Sequence, residues 1–127
     1  MTNKKPKNRI EIFINPAGFI EQHYYGYVSV AALFESRKEL MRCVDRLSQQ
    51  NQPILILSDL TGMKKTSAAA RKLGMETMNE TPYQKAAIYG PMLSQVMVKS
   101  LALVAGKQQE IKVFDDRLAA VKWLKSK

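Results

Sequence analysis

The sequence predicts an α/β domain. It is a mixed sheet in the order ββαβαβαβα, with an N-terminal antiparallel hairpin followed by parallel strands joined by crossover helices. Three observations predict it. Short apolar or alternating runs suited to strands recur at RIEIFIN, ILIL, KAAIY and EIKVF. Stretches with helical periodicity separate them from residue 30 onward, the alternation that builds parallel sheets. Turn-forming residues punctuate the boundaries at Asn15-Pro16-Ala17-Gly18, Asn51 to Pro53 and Gly90-Pro91.

Each element has its own reason. Residues 9–15 alternate Ile10, Ile12 and Ile14 with polar positions, apart from Phe13, as a strand with one buried face does. Phe19 to Tyr25 is rich in strand formers, so residues 9–27 read as a hairpin. Ser29 is placed to cap a long helix whose apolar positions, Val30, Leu33, Phe34, Leu40, Met41, Val44 and Leu47, follow the helical period. Ile54 to Leu57 is a continuous apolar run, suited to a strand covered on both faces and ending at Ser58-Asp59.

A loop is expected over Leu60 to Lys65, then a helix opened by Thr66 or Ser67 and running through AAARKLGMETMNE. Gly74 costs such a helix up to ~1 kcal/mol relative to alanine, which suggests a close packing contact there. KAAIYGP is a strand stopped at Gly90-Pro91, MLSQVMVKSLALVAG a helix ending at Gly106, EIKVF a strand and DDRLAAVKWLKSK a last amphipathic helix.

Composition narrows the class. The 127 residues suffice for one domain over 9–127, preceded by a basic tail at 1–8 expected to be disordered. Lys4, Lys5, Lys7 and Arg9 supply four of the positive charges behind the net +9. Such tails solubilise and can touch nucleic acid or anionic lipid. Tyr24, Tyr25 and Tyr27 lack neighbouring basic residues in the sequence, so nucleic acid is not expected as a partner. The lone Cys43 cannot form an internal disulfide, and the charged N-terminus lacks a signal peptide, so a cytoplasmic location is expected. No apolar run approaches the ~20 residues of a membrane span, which leaves peripheral contact as the open mode.

The residues LSDLTGM after the apolar strand, KAAIYGP, and VFDDRLAAVKWL, taken with the element order, resemble the STAS-like domains. The resemblance is to their SpoIIAA-like (anti-sigma-factor-antagonist-like) group, which is also compared with Sec14-type lipid-binding domains, and it covers roughly residues 9–126. It implies a small mixed sheet covered by helices that binds partners rather than catalyses. In such domains a serine in an Asp-Ser-Ser/Thr-Gly motif at a helix N-terminus is phosphorylated by a partner kinase. Aligned without gaps from Asp59, that motif falls on Ser67, Ala68, Ala69 and Ala70, so the acceptor position is Ala68, which has no hydroxyl. Phosphorylation would have to shift to Thr66 or Ser67, where a hydroxyl also serves as an N-cap.

Several constellations are candidate sites. The carboxyl ends of the parallel strands share one rim, where open α/β sheets bind ligands. Asp59, Lys64, Lys65, Thr66, Ser67, Tyr89 and Gly90 are expected on it, with the two lysines before a helix N-terminus that favours an anion. Met63, Met75, Met78 and Met97 are candidates for an adaptable apolar groove beside it. The run from Met92 to Val104 is too apolar for one sheet face to cover, so the rest must meet a neighbouring helix, a second subunit, a ligand or a membrane surface; a homodimer is expected, with a protein partner or an apolar ligand as the other candidate partners of the domain.

No cofactor or metal is implied. One histidine and one cysteine make no zinc cluster, and no phosphate-binding or nucleophile-elbow motif is present. His23 is expected far from the rim, and Cys43 as a small buried hydrophobe. The enzymatic rival requires Asp59 to converge with Asp115 or Asp116 near Lys64 and Lys65.

Overall fold

The computed structural model describes residues 7–90 and 110–126. Strands β1 (Arg9–Ile14) and β2 (Ile20–Val28) form an antiparallel hairpin. Its turn is organised by Asn15, whose side-chain Oδ1 accepts from the amides of Ala17 and Phe19, each at 2.9 Å. Helix α1 (Val30–Gln49) follows, with Ser29 Oγ accepting from the Ala32 amide at 3.1 Å. Asn51 ends that region with a left-handed φ of 56°, a conformation asparagine tolerates.

Strand β3 (Leu55–Thr66), helix α2 (Ala68–Glu80), strands β4 (Lys85–Tyr89) and β5 (Glu110–Phe114) and helix α3 (Arg117–Lys125) complete the described chain. The strands form one sheet in sequence order, antiparallel between β1 and β2 and parallel elsewhere. The expected hairpin, the parallel strands and the capped last helix are therefore present. The helix expected over 92–105 lies outside the described residues.

One boundary differs. The loop expected over Leu60 to Lys65 is instead the second half of β3, paired in parallel with Tyr25 to Val28 across two register shifts. Leu60 and Met63 are buried while Thr61, Lys64 and Lys65 are exposed. That irregular spacing follows from the shifts and has neither a clean strand nor a helix period. Among the described residues the close contact expected at Gly74 is not found: a Cβ built there meets none of them within 4 Å.

The sheet has two differently covered faces. Ile20, Leu40, Val44, Ile56 and Ala86 form a core beneath α1 and α2. On the opposite face Phe19, Leu57, Ala87, Ala120 and Leu124 pack under α3. Helix α3 lies across β3, β4 and β5. Among the described residues no helix packs across the β1–β2 strip of that second face, and this strip carries the polar residues of interest.

Candidate functional site

Glu21, His23 and Tyr25 occupy alternate positions of β2, so the pleat sends all three to the α3 face of the sheet. Glu21 is only 3% exposed, and a carboxylate in that position needs partners. It has three. Arg117, the first residue of α3, clamps it with Nη1 at 2.7 Å from Oε1 and Nη2 at 2.9 Å from Oε2. Asn15 donates to Oε2 from Nδ2 at 2.7 Å, and His23 Nε2 lies 2.8 Å from Oε1. Asn15 thus builds the hairpin turn with its oxygen and fixes Glu21 with its nitrogen.

His23 links two strands. Its Nδ1 lies 3.0 Å from Asp59 Oδ2, across the parallel pair in which His23 and Asp59 are register partners. Both ring nitrogens face carboxylate oxygens, so both contacts are hydrogen bonds only when each nitrogen carries a proton. The ring stacks between Phe13, with centroids 5.6 Å apart, and Tyr25, 6.4 Å away. Arg9 caps the column, its guanidinium carbon 3.8 Å from the Tyr25 ring centroid. Tyr25 in turn lies over Gly62, where a Cβ would fall 2.6 Å from the ring.

The electrostatics follow from these contacts. The Arg117 guanidinium holds the Glu21 carboxyl down to about 2 against the opposing effect of burial, with Asn15 and His23 assisting. Burial pushes the Asp59 carboxyl up, but hydrogen bonds from the Thr61 hydroxyl and amide, at 2.6 Å and 2.8 Å, outweigh it together with the field of His23. Asp59 therefore titrates below its ordinary range. Burial pushes the Tyr89 phenol up, opposed by the hydrogen bond from Arg117, whose Nη1 lies 3.3 Å from the phenol oxygen.

The expected rim divides in two. Asp59 and Tyr89 are register partners at the junction of β3 and β4, beside Arg117. Gly90 follows with φ +146°, and a Cβ there would lie 2.9 Å from the Leu60 backbone, so glycine is needed for the chain to leave β4. Lys64 and Lys65 are exposed on β3, five and six residues beyond Asp59 and hence roughly 17–20 Å along the strand. Thr66 Oγ1 donates to the Val28 carbonyl at 3.0 Å, and Ser67 Oγ accepts from the Ala70 amide as the cap of α2. Both hydroxyls are in structural use.

The methionines do not share one lining. Met63 is buried with Val28, Leu60 and Ile88, and Met75 packs partly buried against that cluster. Met78 belongs to the core beneath α1. Met97 lies outside the described residues. Cys43 is buried in that same α1 core, as expected of a small hydrophobe.

The expectation that His23 stands apart from the rim is overturned, because β2 pairs directly with β3 and sets His23 against Asp59. Asp116 accepts from the Ala119 amide at 2.9 Å as the cap of α3, and Asp115 is exposed beside it. Among the described residues no three His, Cys, Asp or Glu side chains are arranged to hold a metal ion. Glu21 and Arg117 were missed from the sequence. A glutamate and a histidine two apart on a strand were the available signal, but nothing local joins them to a residue ninety-six positions away.

Beside this network lies an open cleft of about 530 Å³ between the hairpin turn and α3. Pro16, Ala17, Phe19, Leu118 and Val121 supply its apolar walls, and the Glu21–Arg117 pair and Lys125 its charged ones. Leu118 is 80% exposed and Phe13, nearby on the open strip, 42%.

Comparison with known proteins agrees with this architecture. No curated protein sequence matches the chain. An uncharacterized protein of the DUF3478 family with a SpoIIAA-like fold, from Shewanella loihica PV-4, superimposes with a TM-score of 0.62 at 19% identity, covering 98% of each chain. The anti-sigma factor antagonist SpoIIAA in its unphosphorylated form superimposes with a TM-score of 0.64 at 12% identity, covering 93% of this chain and 99% of that one. At these identities the likeness is one of fold. The family model for SpoIIAA-like domains matches residues 20–125, from the first residue of β2 to the last of α3, and the chain therefore belongs to the SpoIIAA-like family.

Proposed function

We propose that this chain is a non-enzymatic regulatory domain that works by binding a protein partner through the open strip of its sheet and the adjoining α3. One observation carries the reading. The groups capable of chemistry on this face, Glu21, His23, Asp59, Tyr89 and Arg117, are bonded to one another, while the apolar side chains beside them, Phe13 and Leu118, stand in solvent. Side chains tied down in this way present a rigid surface, and exposed aromatic and aliphatic groups supply the desolvation energy of contact. The solved relative described as an anti-sigma factor antagonist is by that description a regulator, which accords with such a role.

A small apolar or anionic ligand in the cleft is the second reading, supported by its volume, which falls within the range of small-molecule sites. The openness of the cleft and the exposure of Leu118 favour the macromolecule. Self-association as a homodimer is a further part of the proposal and rests on the apolar sequence from Met92 to Val104. Light scattering tests it, a monomeric mass at micromolar concentration counting against it.

The partner reading is tested by photo-crosslinking in the native host, with p-benzoylphenylalanine placed at Phe13 and, separately, at Phe34 on the far side of the sheet. A protein adduct from the Phe13 position and none from Phe34 is expected. Adducts only from Phe34, or none from either, overturn it.

A further inference from the structure

We infer that the cleft between the hairpin turn and α3 recognises an extended segment of a partner protein, bearing a bulky apolar side chain two positions away from an aspartate or glutamate. The inference rests on the protein-binding reading above and adds the chemistry of what is bound. The apolar half of the site is built by Phe19, Leu118 and Val121. Leu118 is the most exposed large hydrophobic among the described residues, at 80%, so covering it releases water from an aliphatic side chain that folding leaves wet.

The charge distribution sets the second requirement. Arg117 is spent on Glu21, so that pair presents no net charge to a ligand. Lys85, close to the end of α3, is spent on the carbonyl oxygens of Trp123 and Ser126 at 3.2 Å and 2.8 Å. Lys125 also lines the cleft and pairs with no carboxylate among the described residues. Asp115 and Asp116 lie at the opposite end of α3 and disfavour an acid there. An acidic group is therefore attracted to one end of the cleft only.

Spacing then selects the motif. Val121 and Lys125 are four residues apart on the helix, or about 6 Å along its axis. In an extended peptide, residues two apart point to the same side about 7 Å from each other. On an extended segment a side chain seated on Val121 thus places an acid two residues away within reach of Lys125; a helical segment would need the acid four residues away, and enrichment at that spacing would overturn the extended reading. A fatty-acid-like carboxylate shares part of this chemistry but gains nothing from the spacing of an extended backbone.

The test is selection of a randomised peptide library displayed on phage against the full chain, and separately against the Leu118→Asp and Lys125→Glu variants, with the affinity of each enriched peptide measured on all three. Both positions are exposed, so neither change disturbs the core. The expected result is enrichment of an apolar residue two positions from Asp or Glu, in peptides whose affinity falls about 10-fold or more on Leu118→Asp, the loss of one buried aliphatic contact. Lys125→Glu should abolish the preference for the acid while sparing the apolar one.

Three other outcomes overturn the inference. Enriched peptides that bind Leu118→Asp as well as the native chain would leave protein recognition standing and remove it from this cleft. Failure to enrich any peptide refutes recognition of short segments altogether. Octanoate producing the same NMR shifts at Val121 and Lys125, with no enriched peptide displacing it, assigns the cleft to a small carboxylate.

Discussion

Arg117→Met removes the clamp on Glu21 while keeping the length and apolar stem of the side chain, and its consequence follows from the network. The Glu21 carboxyl is held at about 2 in place of 4.5, a depression that corresponds to about 3 kcal/mol of stabilisation of its charged form. Arg117 is the largest contributor, with Asn15 and His23 sharing the remainder. Arg117 is itself 47% exposed, so water already screens part of the pair, and a loss of about 2 kcal/mol at pH 7 is expected.

The sign with pH is fixed by the direction of the change. A depressed carboxyl contributes its stability above the unfolded value of 4.5 and loses it as pH falls through 4.5 toward about 2. By pH 3 about 2 kcal/mol of the contribution of Glu21 has gone. Urea denaturation of the two proteins at pH 7, 5 and 3 should therefore show a gap that narrows as pH falls. A gap below about 0.5 kcal/mol at pH 7, the level of an ordinary surface substitution, refutes the assigned coupling. A gap of equal size at pH 7 and pH 3 refutes its ionic origin. A double-mutant cycle with Glu21→Gln isolates the pair from the lost packing of the arginine stem.

Three further outcomes are expected. Gly74→Ala should raise stability by about 0.5–1 kcal/mol in urea denaturation, since the added Cβ meets none of the described residues within 4 Å and the helix gains propensity; a loss would mean that the position makes a close contact after all. Gly90→Ala should cost at least about 1–3 kcal/mol by the same measurement, because the residue has φ +146° and a Cβ would press on the Leu60 backbone. Ser67→Ala should cost about 1 kcal/mol and Ser67→Asp little, as expected of an N-cap, and intact-mass analysis of protein from its native host should show only the unmodified species. A phosphorylated species in that spectrum would return Thr66 or Ser67 to a regulatory role.

The sequence alone determined the order of elements, because each depends on local signals. The alternating isoleucines of β1, the Ser29, Ser67 and Asp116 caps, and the apolar run at Ile54–Leu57 act within a few residues of themselves. It misread Leu60–Lys65 because two register shifts break the period by which a strand is recognised. The candidate binding face was decided by the tertiary structure. Asp59 was visible as a strand-end acid, but its partner His23 is thirty-six residues away and the Arg117 that clamps Glu21 is ninety-six away. These groups meet only because β2 pairs with β3 and α3 returns over the same sheet face. Buried charge is tolerated only where the folded chain supplies partners, so which polar residues matter is a property of pairing across the sheet.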